Sequence, residues 1–98
     1  MQVNLFYKIY SLSFDPTTSD EVGLHEIISK SPKIQNWWHY LPGTYLLKSQ
    51  WTLETIQNEI VKKWPQQRFL LMEVNYKNRN GWLPEKAWKW LRQFDKPK

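Results

Sequence analysis

A chain of 98 residues is long enough for one packed core and too short for two domains, so residues 1–98 are expected to form a single domain. Its 41% hydrophobic and 23% charged residues fit a globule rather than a disordered tail, and the absence of cysteine excludes disulfides and thiol-based metal or redox chemistry. The net charge of +5 lies entirely in residues 50–98, which points either to nucleic acid or another acidic partner, or to a solvated basic face.

Val3 to Phe14 is expected to be a strand with Leu5, Tyr7 and Ile9 on one side and Phe6, Tyr10, Leu12 and Phe14 on the other. Apolar residues on both sides imply a central strand, covered on each face. Asp15-Pro16-Thr17-Thr18 ends it. Ser19 or Asp20 then caps a helix whose core stripe is Val22, Leu24, Ile27 and Ile28, and Ser31-Pro32 stops it. Ile34 to Tyr40 and Thr44 to Lys48 are expected to form an antiparallel hairpin, because Pro42-Gly43 suits the centre of a type II turn.

Thr52 caps the second helix, on which Leu53, Ile56, Ile60 and Trp64 keep one face; Lys62 and Lys63 suit its C-terminal end, and Pro65 terminates it. Arg68 to Tyr76 is a fourth, almost uninterrupted apolar strand, followed by the polar stretch Lys77–Gly81. Pro84 suits the first turn of a third helix with Ala87, Trp88, Leu91 and, if the helix runs on, Phe94 facing inwards. The order strand–helix–strand–strand–helix–strand–helix predicts an α+β fold, a ferredoxin-like βαββαβ sandwich with an additional C-terminal helix.

No apolar run approaches the roughly 20 residues needed to cross a bilayer. The opening residues carry no signal-peptide pattern, so the expected setting is cytoplasmic. Motifs for catalysis are nearly absent: there is no glycine-rich phosphate loop, no Gly-x-Ser-x-Gly elbow and no His-Glu-x-x-His. His25 and His39 are the only histidines, too few for a zinc site. Carboxylates that suit a divalent ion are confined to the first loop, at Asp15, Asp20 and Glu21.

Seven tryptophans, five tyrosines and four phenylalanines exceed what a small core needs. In Trp37-Trp38-His39-Tyr40, alternation puts Trp37 and His39 on one face of a strand and Trp38 and Tyr40 on the other. The second pair would either lie open, as in modules that stack single-stranded bases, or be covered by a second copy or by the third helix with Trp88 and Trp90. Lys86, Lys89 and Arg92 form a basic stripe on that helix, and Lys77 and Arg79 precede it; charges so spaced can follow a phosphate backbone.

Trp37-Trp38-His39-Tyr40, followed after three residues by Tyr45-Leu46-Leu47-Lys48, resembles the small bacterial SinR-like family, as do Gly81-Trp82 and the later pair Trp90-Leu91. The resemblance spans nearly the whole chain. It implies kinship with the small ferredoxin-like subunit of CRISPR adaptation and with ferredoxin-like toxin and antitoxin ribonucleases. It further implies a homodimer, and in several relatives action on nucleic acid. Those relatives carry a metal-binding aspartate at the end of the first strand. Here Tyr10-Ser11-Leu12 puts serine in that place, an ungapped register puts Ser13 there, and only a shifted one offers Asp15. A neutral hydroxyl cannot replace a carboxylate as a strong magnesium ligand.

The expectation is therefore a homodimer that binds nucleic acid, RNA or DNA, or a nucleic-acid-handling protein, without catalysis, cofactor or membrane. Its charge would come from Lys77, Arg79, Lys86, Lys89 and Arg92, and its partner surface from Trp38 and Tyr40. The alternatives are a magnesium-dependent endoribonuclease using Asp15, and a protein-only interaction module such as an antitoxin.

Overall fold

A computed structural model describes residues 7–75 and 80–92. The elements run β1 (Lys8–Phe14), α1 (Glu21–Lys30), β2 (Asn36–Leu41), β3 (Thr44–Ser49), α2 (Leu53–Lys63), β4 (Phe69–Val74) and α3 (Glu85–Arg92). The four strands form one antiparallel sheet in the order β2-β3-β1-β4. This is the ferredoxin-like arrangement with a further helix at its end, as the periodicity indicates. The first part of the expected opening strand, and Lys77, Arg79 and Phe94, lie outside the described residues.

Each local signal has a visible cause. The Asp20 carboxylate accepts a hydrogen bond from the Gly23 amide (3.0 Å) and caps α1. Thr52 does the same for α2 through the Thr55 amide (3.2 Å). Gly43 has φ of +78°, which the turn between β2 and β3 requires, and its carbonyl accepts from the Phe14 amide (2.9 Å). A side chain there would meet the Phe14 carbonyl oxygen at 2.7 Å.

The main core lies between α1, α2 and one face of the sheet. Tyr10, Leu12, Phe14, Tyr45, Leu47 and Leu71 from the strands meet Leu24, Ile28, Ile56, Ile60 and Trp64 from the helix side. The pairings Leu12↔Tyr45 and Leu12↔Leu71 keep these side chains on one face. Val22 was expected in the stripe of α1 but is 80% exposed. It lies about 160° round the helix from Leu24, so the geometry that buries Leu24 turns Val22 to water. Leu53, expected on the inner face of α2, remains half-exposed in the first turn.

The helix α3 packs on the opposite face of the sheet, against β2. Ala87 and Leu91 are buried, as are Ile9 and Trp38, and none of the four belongs to the main core. The sheet is thus covered on both faces, by two helices on one and by part of α3 on the other. β1 is a central strand, as expected, and its second face carries Ile9 with Ser11 and Ser13.

Candidate functional site

The aromatic run on β2 divides between the two faces. Trp37 and His39 turn towards the helices: the Trp37 ring meets His25 edge-on (4.9 Å between centroids), and His39 stacks flat on Tyr45 (4.0 Å, 7° between planes). Trp38 and Tyr40 turn the other way and touch each other edge to face (5.3 Å). The expected alternation therefore holds, but the expected partner surface does not. Trp38 is only 3% exposed; α3 packs against β2, and Trp38 shares a cleft with its Trp88 and Leu91. Its indole nitrogen has no hydrogen-bond partner. Tyr40 stays partly open at the edge of the sheet.

Between α3 and the sheet lies an open cleft of about 290 Å³, walled by Trp38, Leu46, Val74, Leu83, Trp88 and Leu91. Ser11, Thr44, Asn75 and Asn80 add polar groups, and among the described residues no charged group lines it. It can receive an apolar or aromatic group but offers nothing to activate one.

Among the described residues, the most exposed large ring lies just before α3. Trp82 is 96% exposed, between Gly81 and Leu83. Within the following helix, Lys86 and Lys89 are exposed to water. Arg92 is also on the surface, but its guanidinium pairs with the Glu85 carboxylate. Of the expected basic stripe, α3 thus presents two open cations shortly after an open indole, with the third held by an acid. The sequence reading placed aromatic contact on β2 and overlooked Trp82. A tryptophan directly after the polar stretch Lys77–Gly81 and before Pro84 was the available signal.

A second cluster links α1 to the hairpin. His39 Nδ1 lies 3.0 Å from the Thr44 carbonyl oxygen, and its Nε2 lies 3.1 Å from a Glu21 carboxylate oxygen. The Tyr45 hydroxyl and His25 Nδ1 form a hydrogen bond of 2.8 Å. Burial, aided by the charge of Glu21, pushes the Tyr45 hydroxyl up to about 12. Both nitrogens of His39 are engaged, so neither is left to move a proton for a substrate. Nothing in the sequence indicated this cluster, since Glu21 and His39 come from separate elements.

Asp15, the alternative metal ligand, is exposed at the end of β1. Its carboxylate accepts from the Thr17 amide (2.9 Å) and the Thr17 hydroxyl (2.7 Å), and these bonds hold it below the usual carboxylate range. It closes the turn that leads into α1. Among the described residues, no three histidine or acidic side chains come close enough together to hold a metal ion. No described helix is long and apolar enough to cross a membrane. No family model, curated protein or solved structure matches the chain.

Proposed function

We propose that this domain binds single-stranded nucleic acid without catalysis, as a cytoplasmic homodimer, through the segment formed by Trp82 and the outer face of α3. The observation that carries the reading is the fully open indole of Trp82, three residues ahead of a helix that carries Lys86 and Lys89 exposed to water. An exposed ring can stack on any base, and each stacking contact is worth about 1–3 kcal/mol. Lysines beside it attract the phosphates and make the affinity depend on salt.

This reading moves the contact from the sheet to its rim. Trp38 is covered by α3 and serves packing instead. Tyr40, at the margin of the same face, remains available to extend the strand of bases. Lys77 and Arg79 would add charge immediately before Trp82 in sequence.

The test is binding of labelled RNA and DNA, single- and double-stranded, at two salt concentrations with and without magnesium, following cleavage in the same samples. Salt-sensitive binding to single strands with the oligonucleotide left intact supports the proposal. Magnesium-dependent cleavage that disappears in Asp15→Asn would replace it with the nuclease reading. Absence of both would replace it with a protein-only module.

A further inference from the structure

The two edges of the sheet are built differently. At one edge, β2 carries a bulge between Trp38 and Leu41 and is flanked by α3. A bulge and a covering helix are ordinary means of stopping a strand from pairing further. At the other edge, β4 pairs with β1 in unbroken register from Phe69 to Val74. Among the described residues, no strand lies on its outer side. The strand Phe69-Leu70-Leu71-Met72-Glu73-Val74 contains no proline and no lysine. Leu70 and Met72, on the face away from α1 and α2, are 58% and 49% exposed.

The layer above β4 is also apolar at this edge. The helix α2 lies over β4, and its Glu59 side faces the segment after α1, where it meets Lys33. Val61 falls on the opposite flank of α2, towards the edge of the sheet, and is exposed as well. An open backbone edge is therefore bracketed by apolar side chains in both layers, with Arg68 at one end of the strand and Glu73 near the other.

We infer that β4 is the interface of the homodimer: two copies pair antiparallel along this strand about a two-fold axis and form one continuous eight-stranded sheet. The inference rests on the two-copy part of the functional reading and not on its nucleic-acid part. A two-fold axis through Leu71 sets Leu70 of one copy opposite Met72 of the other, and the reverse, so the exposed apolar pairs cover each other. The same antiparallel arrangement keeps the two copies of Arg68 at opposite ends of the seam, and the two copies of Glu73 likewise, whereas a parallel pairing would set like charges side by side. This match of a surface to itself favours a second copy over a foreign strand. Three half-exposed apolar side chains and one strand edge bury on the order of 500 Å² per copy, at the small end of specific interfaces. The pair is accordingly weak and reversible, forming only as concentration rises.

The test is sedimentation velocity over a concentration series for the wild type and for Leu70→Lys, Met72→Lys and Trp82→Ala, with circular dichroism to confirm that each variant is folded. Leu70 and Met72 are surface side chains, so lysine at either leaves the core intact. The wild type is expected to shift from monomer to dimer with concentration. Either lysine variant should weaken association at least tenfold, and Trp82→Ala should leave it unchanged. A wild type that stays monomeric throughout would overturn the inference together with the homodimer. A dimer unaffected by both lysine substitutions, or one lost in Trp82→Ala, would overturn the β4 interface while leaving the homodimer standing. Nucleic-acid binding is read separately and is not decided by any of these outcomes.

Discussion

The imidazole of His39 lies flat on the ring of Tyr45, 4.0 Å between centroids, and reaches from there to the Glu21 carboxylate on α1. One side chain thus ties the β2–β3 hairpin to the first turn of the first helix. A neutral imidazole has a single N–H to share between the Thr44 carbonyl and Glu21, whereas an amide at position 21 can itself donate to the other nitrogen. The substitution Glu21→Gln should therefore change stability by less than about 0.5 kcal/mol, since a partly exposed pair contributes little. His39→Ala loses the stack and the hydrogen bonding of the ring and should cost about 2 kcal/mol. Urea unfolding of the two variants separates them.

The hydroxyl of Tyr45 gives the fold an alkaline limit. Its value is raised from 10 to about 12 in the folded protein, and that of Tyr10 is raised as well, chiefly by burial. A group whose folded value is raised favours the folded state fully below its unfolded value and loses that contribution as pH rises through the folded one. Stability should accordingly fall between about pH 10 and pH 12, with Tyr45 accounting for on the order of 2 kcal/mol. In Tyr45→Phe the decline over this interval should be shallower, as measured by thermal melts at a series of pH values.

Trp38 offers a contrast between size and polarity. Its indole N–H is buried without a partner, which costs about 1–3 kcal/mol, while its rings fill the space beneath α3. Trp38→Phe removes the orphaned donor and keeps an aromatic body, so stability should change by no more than about 1 kcal/mol. Trp38→Ala opens a cavity and should cost about 3–5 kcal/mol. If both variants were fully stable, Trp38 would not be part of a packed layer.

Gly43 is held in a conformation that other residues adopt only under strain. With φ at +78° and a Cβ position 2.7 Å from the Phe14 carbonyl oxygen, Gly43→Ala should cost about 1–3 kcal/mol. The bond from the Phe14 amide to the Gly43 carbonyl joins this turn to the end of β1. Hydrogen exchange of the Phe14 amide should therefore accelerate in that variant.

Most of the architecture could be read from local pattern. The caps at Asp20 and Thr52, the turn at Pro42-Gly43 and the alternation of Trp37 with Trp38 each depend on residues a few positions apart. What covered the open side of the sheet was not local: Trp38 is buried and shares a cleft with Trp88 and Leu91, some fifty residues later. Alternation fixed the face on which Trp38 lies but not what meets that face. The link between Glu21 and His39 was hidden for the same reason. Arg92 counted as a free cation until its contact with Glu85 appeared, seven residues back along the same short helix.

The central claim is that Trp82 and the two free lysines of α3 hold a single strand of nucleic acid. Fluorescence anisotropy of a labelled single-stranded RNA, compared between wild type, Trp82→Ala and the double variant Lys86→Gln/Lys89→Gln at two salt concentrations, tests it most directly. The wild type should bind more weakly as salt rises. Trp82→Ala should lose about 1–3 kcal/mol of affinity at both concentrations with the salt dependence preserved. The double lysine variant should lose affinity and show a salt slope shallower by roughly 1–2. Wild-type binding that both variants retain in full, with the same salt slope, would contradict the claim, as would no binding at the lower salt.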